Sequence, residues 1–144
     1  MADIIELTVD ECLSLLETKR IGRIGLTTEV GTQIFPVNYV LSEELRIVFR
    51  TLPYGVIANH AHGADVAFEV DDLDQDAESG WSVLAVGRCT RIEDPSEVRM
   101  VRQREDPSPW VEGQRILYFT IDWKNLTGRQ VGDRSTLLTN GPTA

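Results

Sequence analysis

The spacing of apolar residues changes period early in the chain. After Thr8, apolar side chains fall at Val9, Cys12, Leu13 and Leu16, the three-and-four spacing of one helix face. Thr8 and Glu11 form a capping box, and Lys19 and Arg20 follow where the helix end is negative. A short amphipathic helix closing near Gly22 is therefore predicted. From Ile21 onward three extended runs follow, over residues 21–28, 32–41 and 45–51, separated by "EVG" and "SEE". Breaks of turn length make neighbouring strands antiparallel, which predicts a meander.

Pro53 supplies a first-turn proline for a short helix through "YGVIANHA". "ADVAFEVDDLD" then alternates Val66, Phe68 and Val70 with polar partners, the period of a half-buried strand. "GWSVLAVGRCTRIE" reads as a long strand, and Asp94, Pro95 and Glu97 supply the cap, first-turn proline and acid of a helix running to about residue 105. "QRILYFTIDWKNLTGRQV" adds one or two last strands. Six or seven strands in hairpin order with short helices between them predict a mainly β, closed or nearly closed antiparallel barrel, because closure removes exposed sheet edges. Its 144 residues suit a single domain over 1–144.

Charge narrows the partners. The formal net charge is −9, and basic residues such as Arg102 and Arg104 are interspersed with acids, so nucleic acid and anionic membrane are expected to be poor partners. No run approaches the roughly 20 apolar residues that span a bilayer, and "MADIIELTVDE" is acidic where a secretory signal is basic. A cytoplasmic location is expected. Cys12 and Cys89, far apart and in no ligand spacing, read as buried thiols.

Several chemistries lack their parts. Asp72, Asp74 and Asp76 alternate like calcium-loop ligands, but Ala77 stands at the glycine position and Val83 at the bidentate position. His60 and His62 have no accompanying cysteine or carboxylate cluster. Neither Ser82 nor Ser108 sits in a nucleophile elbow, and no Rossmann or P-loop consensus occurs. Any chemistry here is expected to belong to a borrowed cofactor.

"FPVNYVLSEELRIVFRT" is the stretch of greatest interest. Arg50 and Thr51 at a strand end offer a cationic fork and a hydroxyl suited to a phosphate. Pro36 lacks a ladder donor, so its strand is expected to bulge or lie at an edge, leaving main-chain groups of Val37 and Asn38 for a planar ligand. The plainer alternative pairs Arg50 with a surface acid and has Pro36 only blunt an edge; the pattern does not choose between them.

The fragments "LLETKRIGRIGLTT", "FPVNYVL", "IVFRT", "VAFEVDDLD", "GWSVLAVGRCTRIED" and "LTGRQVG", in that order and spacing, resemble the pyridoxamine 5'-phosphate oxidase-like family of flavin-binding split barrels. The resemblance implies a six-stranded antiparallel split barrel that forms a homodimer, binds FMN at the subunit interface and acts as an oxidoreductase on a small molecule. It implies that Phe35, Pro36, Val37, Asn38 and Tyr39 lie along the isoalloxazine and that Arg50 and Thr51 hold the phosphate. Trp81 and Ser82 match a segment that approaches the cofactor, often from the partner subunit, and Trp123 or Arg129 matches a C-terminal contact. Trp110 is a candidate to cap the ring or to pack. Relatives usually carry a basic residue at the start of the short helix, where this chain has Gly55, Val56 and Ile57; Asn59 and His60 are the available substitutes. The resemblance also admits a reductase using deazaflavin F420, whose anionic tail fits the acidic charge balance less well, and a non-catalytic flavin-binding dimer.

Overall fold

The computed structural model describes residues 3–104 and 116–132; Ser108 and Trp110 lie outside them. The elements run β1 (Ile4–Leu7), α1 (Val9–Leu16), β2 (Ile21–Thr28), β3 (Gly31–Leu41), β4 (Ile47–Thr51), α2 (Val56–His60), β5 (Asp65–Asp74), β6 (Ser79–Arg91), α3 (Pro95–Arg104) and β7 (Leu117–Val131). The reciprocal cap of α1 forms as predicted: Thr8 N donates to Glu11 Oε1 at 3.0 Å, and Glu11 N donates to Thr8 Oγ1 at 3.2 Å. This satisfies two of the donors that a helix start leaves orphaned.

The sheet order is β1-β7-β4-β3-β2-β5-β6, and β6 also pairs with β7. Strands β2 to β7 thus close a six-stranded antiparallel ring, the split barrel. Closure depends on β7, a single 15-residue strand. Along one edge it pairs with β4 through Leu117–Ile121 and then with β1 through Gly128–Val131; along the other it follows β6. β1 is a seventh strand that the sequence did not announce. Its four residues are too few for a period to stand out, and pairing with the far end of β7 defines them.

Alternation sends one face of each strand into the ring. Ile24, Phe49, Phe68, Trp81 and Phe119 are almost fully buried there, with Leu15 and Leu16 of α1 packed on them. Phe49 stacks on Phe119 at 5.5 Å and Tyr39 meets Phe68 edge-on at 5.1 Å, geometries that add to plain area burial. A smaller apolar cluster lies outside the ring, where α3 lays Val101 over Val48, Ile92 and Tyr118. The long β6–β7 ladder is kinked by an irregularity between Val86 and Gly87. A side chain at Gly87 would stand 2.1 Å from the Asp122 carbonyl oxygen, so the two backbones approach there only because the residue is glycine.

Candidate functional site

Strands β3 and β4 part company halfway along. They pair over Tyr39–Leu41 and Ile47–Phe49, and beyond Tyr39 and Phe49 no pairing continues, although both chains run on. Pro36 accounts for part of this. Tyr39 N donates to Arg20 O on the β2 side at 2.9 Å; by the period of two, Val37 also addresses β2, while residues 36 and 38 address β4. Pro36 is thus without a donor on the side where a β4 partner would sit. On its other side β3 keeps regular register with β2, with Arg23 opposite Pro36 and Gly22 opposite Val37.

A cavity of about 400 Å³ lies in this split. Pro36, Val37 and Asn38 line it from β3, and Arg50, Thr51 and Leu52 from the end of β4. Ile21, Ile57 and Ile116 complete apolar walls. The volume is within the usual range of small-molecule sites, and so is the arrangement of a few polar groups at the edge of an apolar slot. A guanidinium and a hydroxyl side by side suit a phosphate, and the apolar walls suit a flat ring. None of the nine described residues that line it carries a carboxylate, an imidazole or a thiol. What these nine residues offer is binding and orientation.

Five of the eleven residues expected from sequence line the cavity: Pro36, Val37, Asn38, Arg50 and Thr51. The other six lie elsewhere in the protomer. Phe35 is half-buried against the core. Tyr39 turns inward, its hydroxyl donating to Leu16 O at 2.5 Å, and burial raises its phenol pKa. Trp81 is a core residue, 2 % exposed, whose Nε1 finds no acceptor among the described residues. Ser82 stands opposite Arg129 across the β6–β7 ladder, eleven residues along β7 from Tyr118, the partner of Arg50, or roughly 36 Å of strand. Trp123 donates its indole N–H to Leu45 O at 2.8 Å and so tethers the β3–β4 hairpin.

Of the bulge or edge expected at Pro36, the edge forms: β2 and β3 stay in register across it, and the β3–β4 pairing stops at Tyr39. The main-chain groups of Val37 belong to the ladder with β2, whereas Asn38 is on the β4 side, at the point where the β3–β4 pairing ends. Asn59 and His60, the substitutes for a basic residue at the start of α2, do not line the cavity. His60 is committed elsewhere: its Nε2 lies 2.8 Å from Glu29 Oε2 and its Nδ1 2.9 Å from Val56 O. That contact raises the His60 pKa and lowers that of Glu29. The walls missed by sequence reasoning are Ile21, Leu52, Ile57 and Ile116. Ile21 did carry a signal, an apolar residue on the same strand face as Arg23 while Ile24 and Leu26 point inward.

The sequence profile described as pyridoxamine 5'-phosphate oxidase matches residues 8–130. The chain belongs to the pyridoxamine 5'-phosphate oxidase family. It is 32% identical over 140 residues to an uncharacterized protein of Mycobacterium tuberculosis, covering 93% of this chain and 90% of that one. Among solved structures, the fold is similar to that of an FAD-binding protein from Mycobacterium smegmatis, at TM-score 0.78 and 29% identity, covering 90% of this chain and 99% of that chain. A protein of unknown function from Corynebacterium diphtheriae is also similar, at TM-score 0.74 and 32% identity, covering 88% and 96%. In this member of the family the split between β3 and β4 is where polar anchor and apolar slot coincide.

Proposed function

We propose that this protein is a flavin-binding oxidoreductase working as a homodimer, with the FMN part of the cofactor in the β3–β4 split. Arg50 and Thr51 hold the phosphate, and Pro36, Val37 and Asn38 run along the isoalloxazine. The observation that carries this reading is the cavity of about 400 Å³ with one guanidinium and one hydroxyl at its edge and apolar walls elsewhere. The M. smegmatis relative, described as an FAD-binding protein, supports a flavin over other anionic guests. When bound, a flavin supplies hydride and electron transfer to a small substrate. The chain's own part is to anchor the phosphate, to line the ring with Pro36, Val37 and Asn38, and to keep water from its apolar face.

The dimer is part of this proposal. Ile34, Gly25, Ala67 and Val86 lie side by side across β3, β2, β5 and β6, an outward row with Ile34 68% exposed and Val86 36% exposed. Leu52, Tyr54 and Val56 are exposed beside the cavity. A second copy covering these surfaces removes them from water. It also brings Ser82 and Arg129 of the partner toward the cavity that they cannot reach within their own protomer.

Purified protein is expected to elute as a dimer and to show absorbance bands near 370 and 450 nm. A single band near 400 to 420 nm would replace the flavin by deazaflavin F420. A protein that neither carries a chromophore nor binds added FMN would end the proposal.

A further inference from the structure

A second cavity, of about 500 Å³, opens on the other side of Ile116. Ile116 is a wall of both cavities, and Arg50, at the edge of the first, is paired across the β4–β7 ladder with Tyr118, which lines the second. Directly opposed residues point to the same side of a sheet, so Arg50 and Tyr118 share the outer face of the ring. Arg91 at the end of β6 and Arg99 and Arg102 of α3 converge on the second one. Arg99 and Arg102 stand three residues apart and therefore share a helix face.

None of these three arginines makes an ion pair with a carboxylate of the described residues. Among the described residues Glu93 is the one acid lining the groove. Asp94, just beyond it, accepts from Ser96 N and Ser96 Oγ, each at 2.9 Å. Arg102 is held in place without neutralisation: its guanidinium lies 5.8 Å from the Tyr118 ring centre, and its Nε donates to Tyr118 Oη at 3.4 Å. In a chain with net charge −9, three arginines converge on one apolar-walled hollow whose described lining holds one acid, Glu93, with Asp94 close enough to feel the Arg99 charge; the excess of guanidinium groups suits an organic anion. Ile92, Val98 and Ile116 supply the apolar surface.

We propose that this groove takes the adenylate half of a flavin dinucleotide, so that the full cofactor crosses β7 from one cavity to the other. The inference rests on the flavin reading above. With the first phosphate at Arg50 and Thr51, the second, joined to it through one bridging oxygen, lies toward Tyr118, the cross-strand neighbour of Arg50 that carries Arg102 on its ring. The adenosine then lies against the apolar wall, with Arg91 and Arg99 at its rim.

The test compares FMN, FAD and AMP binding to wild type and to the Arg99→Glu, Arg102→Glu double variant by titration calorimetry. Wild type is expected to bind FAD at least tenfold tighter than FMN. The double variant is expected to lose that preference and keep its FMN affinity, which also shows that it is folded. AMP is expected to compete with FAD and not with FMN. Equal FAD and FMN affinities in wild type, or an FAD preference surviving the two reversals, would overturn the assignment of the groove and leave the first cavity standing. Failure of both flavins to bind would remove the first cavity's reading and this one with it.

Discussion

Arg50 of β4 and Tyr118 of β7 are opposed in the antiparallel ladder, and each borders a different cavity. One cross-strand step therefore separates the cation at the β3–β4 split from the ring beneath the α3 arginines. The core explains why that step is fixed. Phe49 and Phe119, the neighbouring pair in the same ladder, stack inside the ring, and a slip of one residue would turn both outward and Arg50 inward.

Tyr39 separates folding from binding. Its ring is in the core and its hydroxyl donates to Leu16 O, so Tyr39→Phe leaves that carbonyl with only the long 3.5 Å bond from Lys19 N. Chemical denaturation is expected to show a loss of about 1–3 kcal/mol, with flavin affinity unchanged. A variant of full stability and weakened flavin binding would instead make Tyr39 a ligand contact.

Both thiols are kept neutral. Burial pushes Cys12 up to about 11, helped by the Glu11 charge, and burial pushes Cys89 up to about 12. The thiolate is the reactive form. At pH 8 a disulfide reagent such as DTNB is expected to leave the native protein unmodified and to titrate both cysteines in denaturant. Rapid labelling of either thiol in the native state contradicts the buried environment described for it.

The Glu29–His60 contact predicts a pH dependence of stability. It ties α2, which carries Ile57 of the cavity wall, to the turn between β2 and β3. His60 is raised from its ordinary 6.5, chiefly by its hydrogen bond to Glu29, so its contribution is complete below 6.5 and is lost as pH rises through the higher folded value. Glu29 is lowered from 4.5 by the same contact, so its contribution is present above 4.5 and is lost on acidification through the lower folded value. The difference in thermal midpoint between wild type and Glu29→Gln is expected to be largest near pH 5.5 and to shrink above pH 8. A difference independent of pH would show that the pair is not ionic.

What the sequence made legible follows from which signals are local. The Thr8–Glu11 cap, the period-two runs and the Pro36 and Arg50–Thr51 punctuation are each written within a few residues, and they lead to the barrel and to half of the candidate site. The rest depends on pairing between distant segments. Which main-chain groups point into the split is decided by the β2–β3 register. The far position of Ser82 and Arg129 is decided by the length of β7. Arg102 and Arg104 look alike in the sequence, each among acids, yet the helix separates them: Arg102 faces the groove with Tyr118, whereas Arg104 donates to Leu41 O at 2.9 Å. Folding sorts their charges in a way that their order along the chain does not display.

The central claim is that Arg50 and Thr51 anchor the phosphate of a flavin between β3 and β4. Its most direct measurement is the FMN dissociation constant of wild type against Arg50→Ala, with riboflavin, which lacks the phosphate, as the second ligand. Loss of a charge-assisted hydrogen bond of about 1.5–3 kcal/mol predicts FMN binding about 10- to 100-fold weaker in the variant and riboflavin binding unchanged. Equal FMN affinities in the two proteins, or an equal loss for riboflavin, would contradict it.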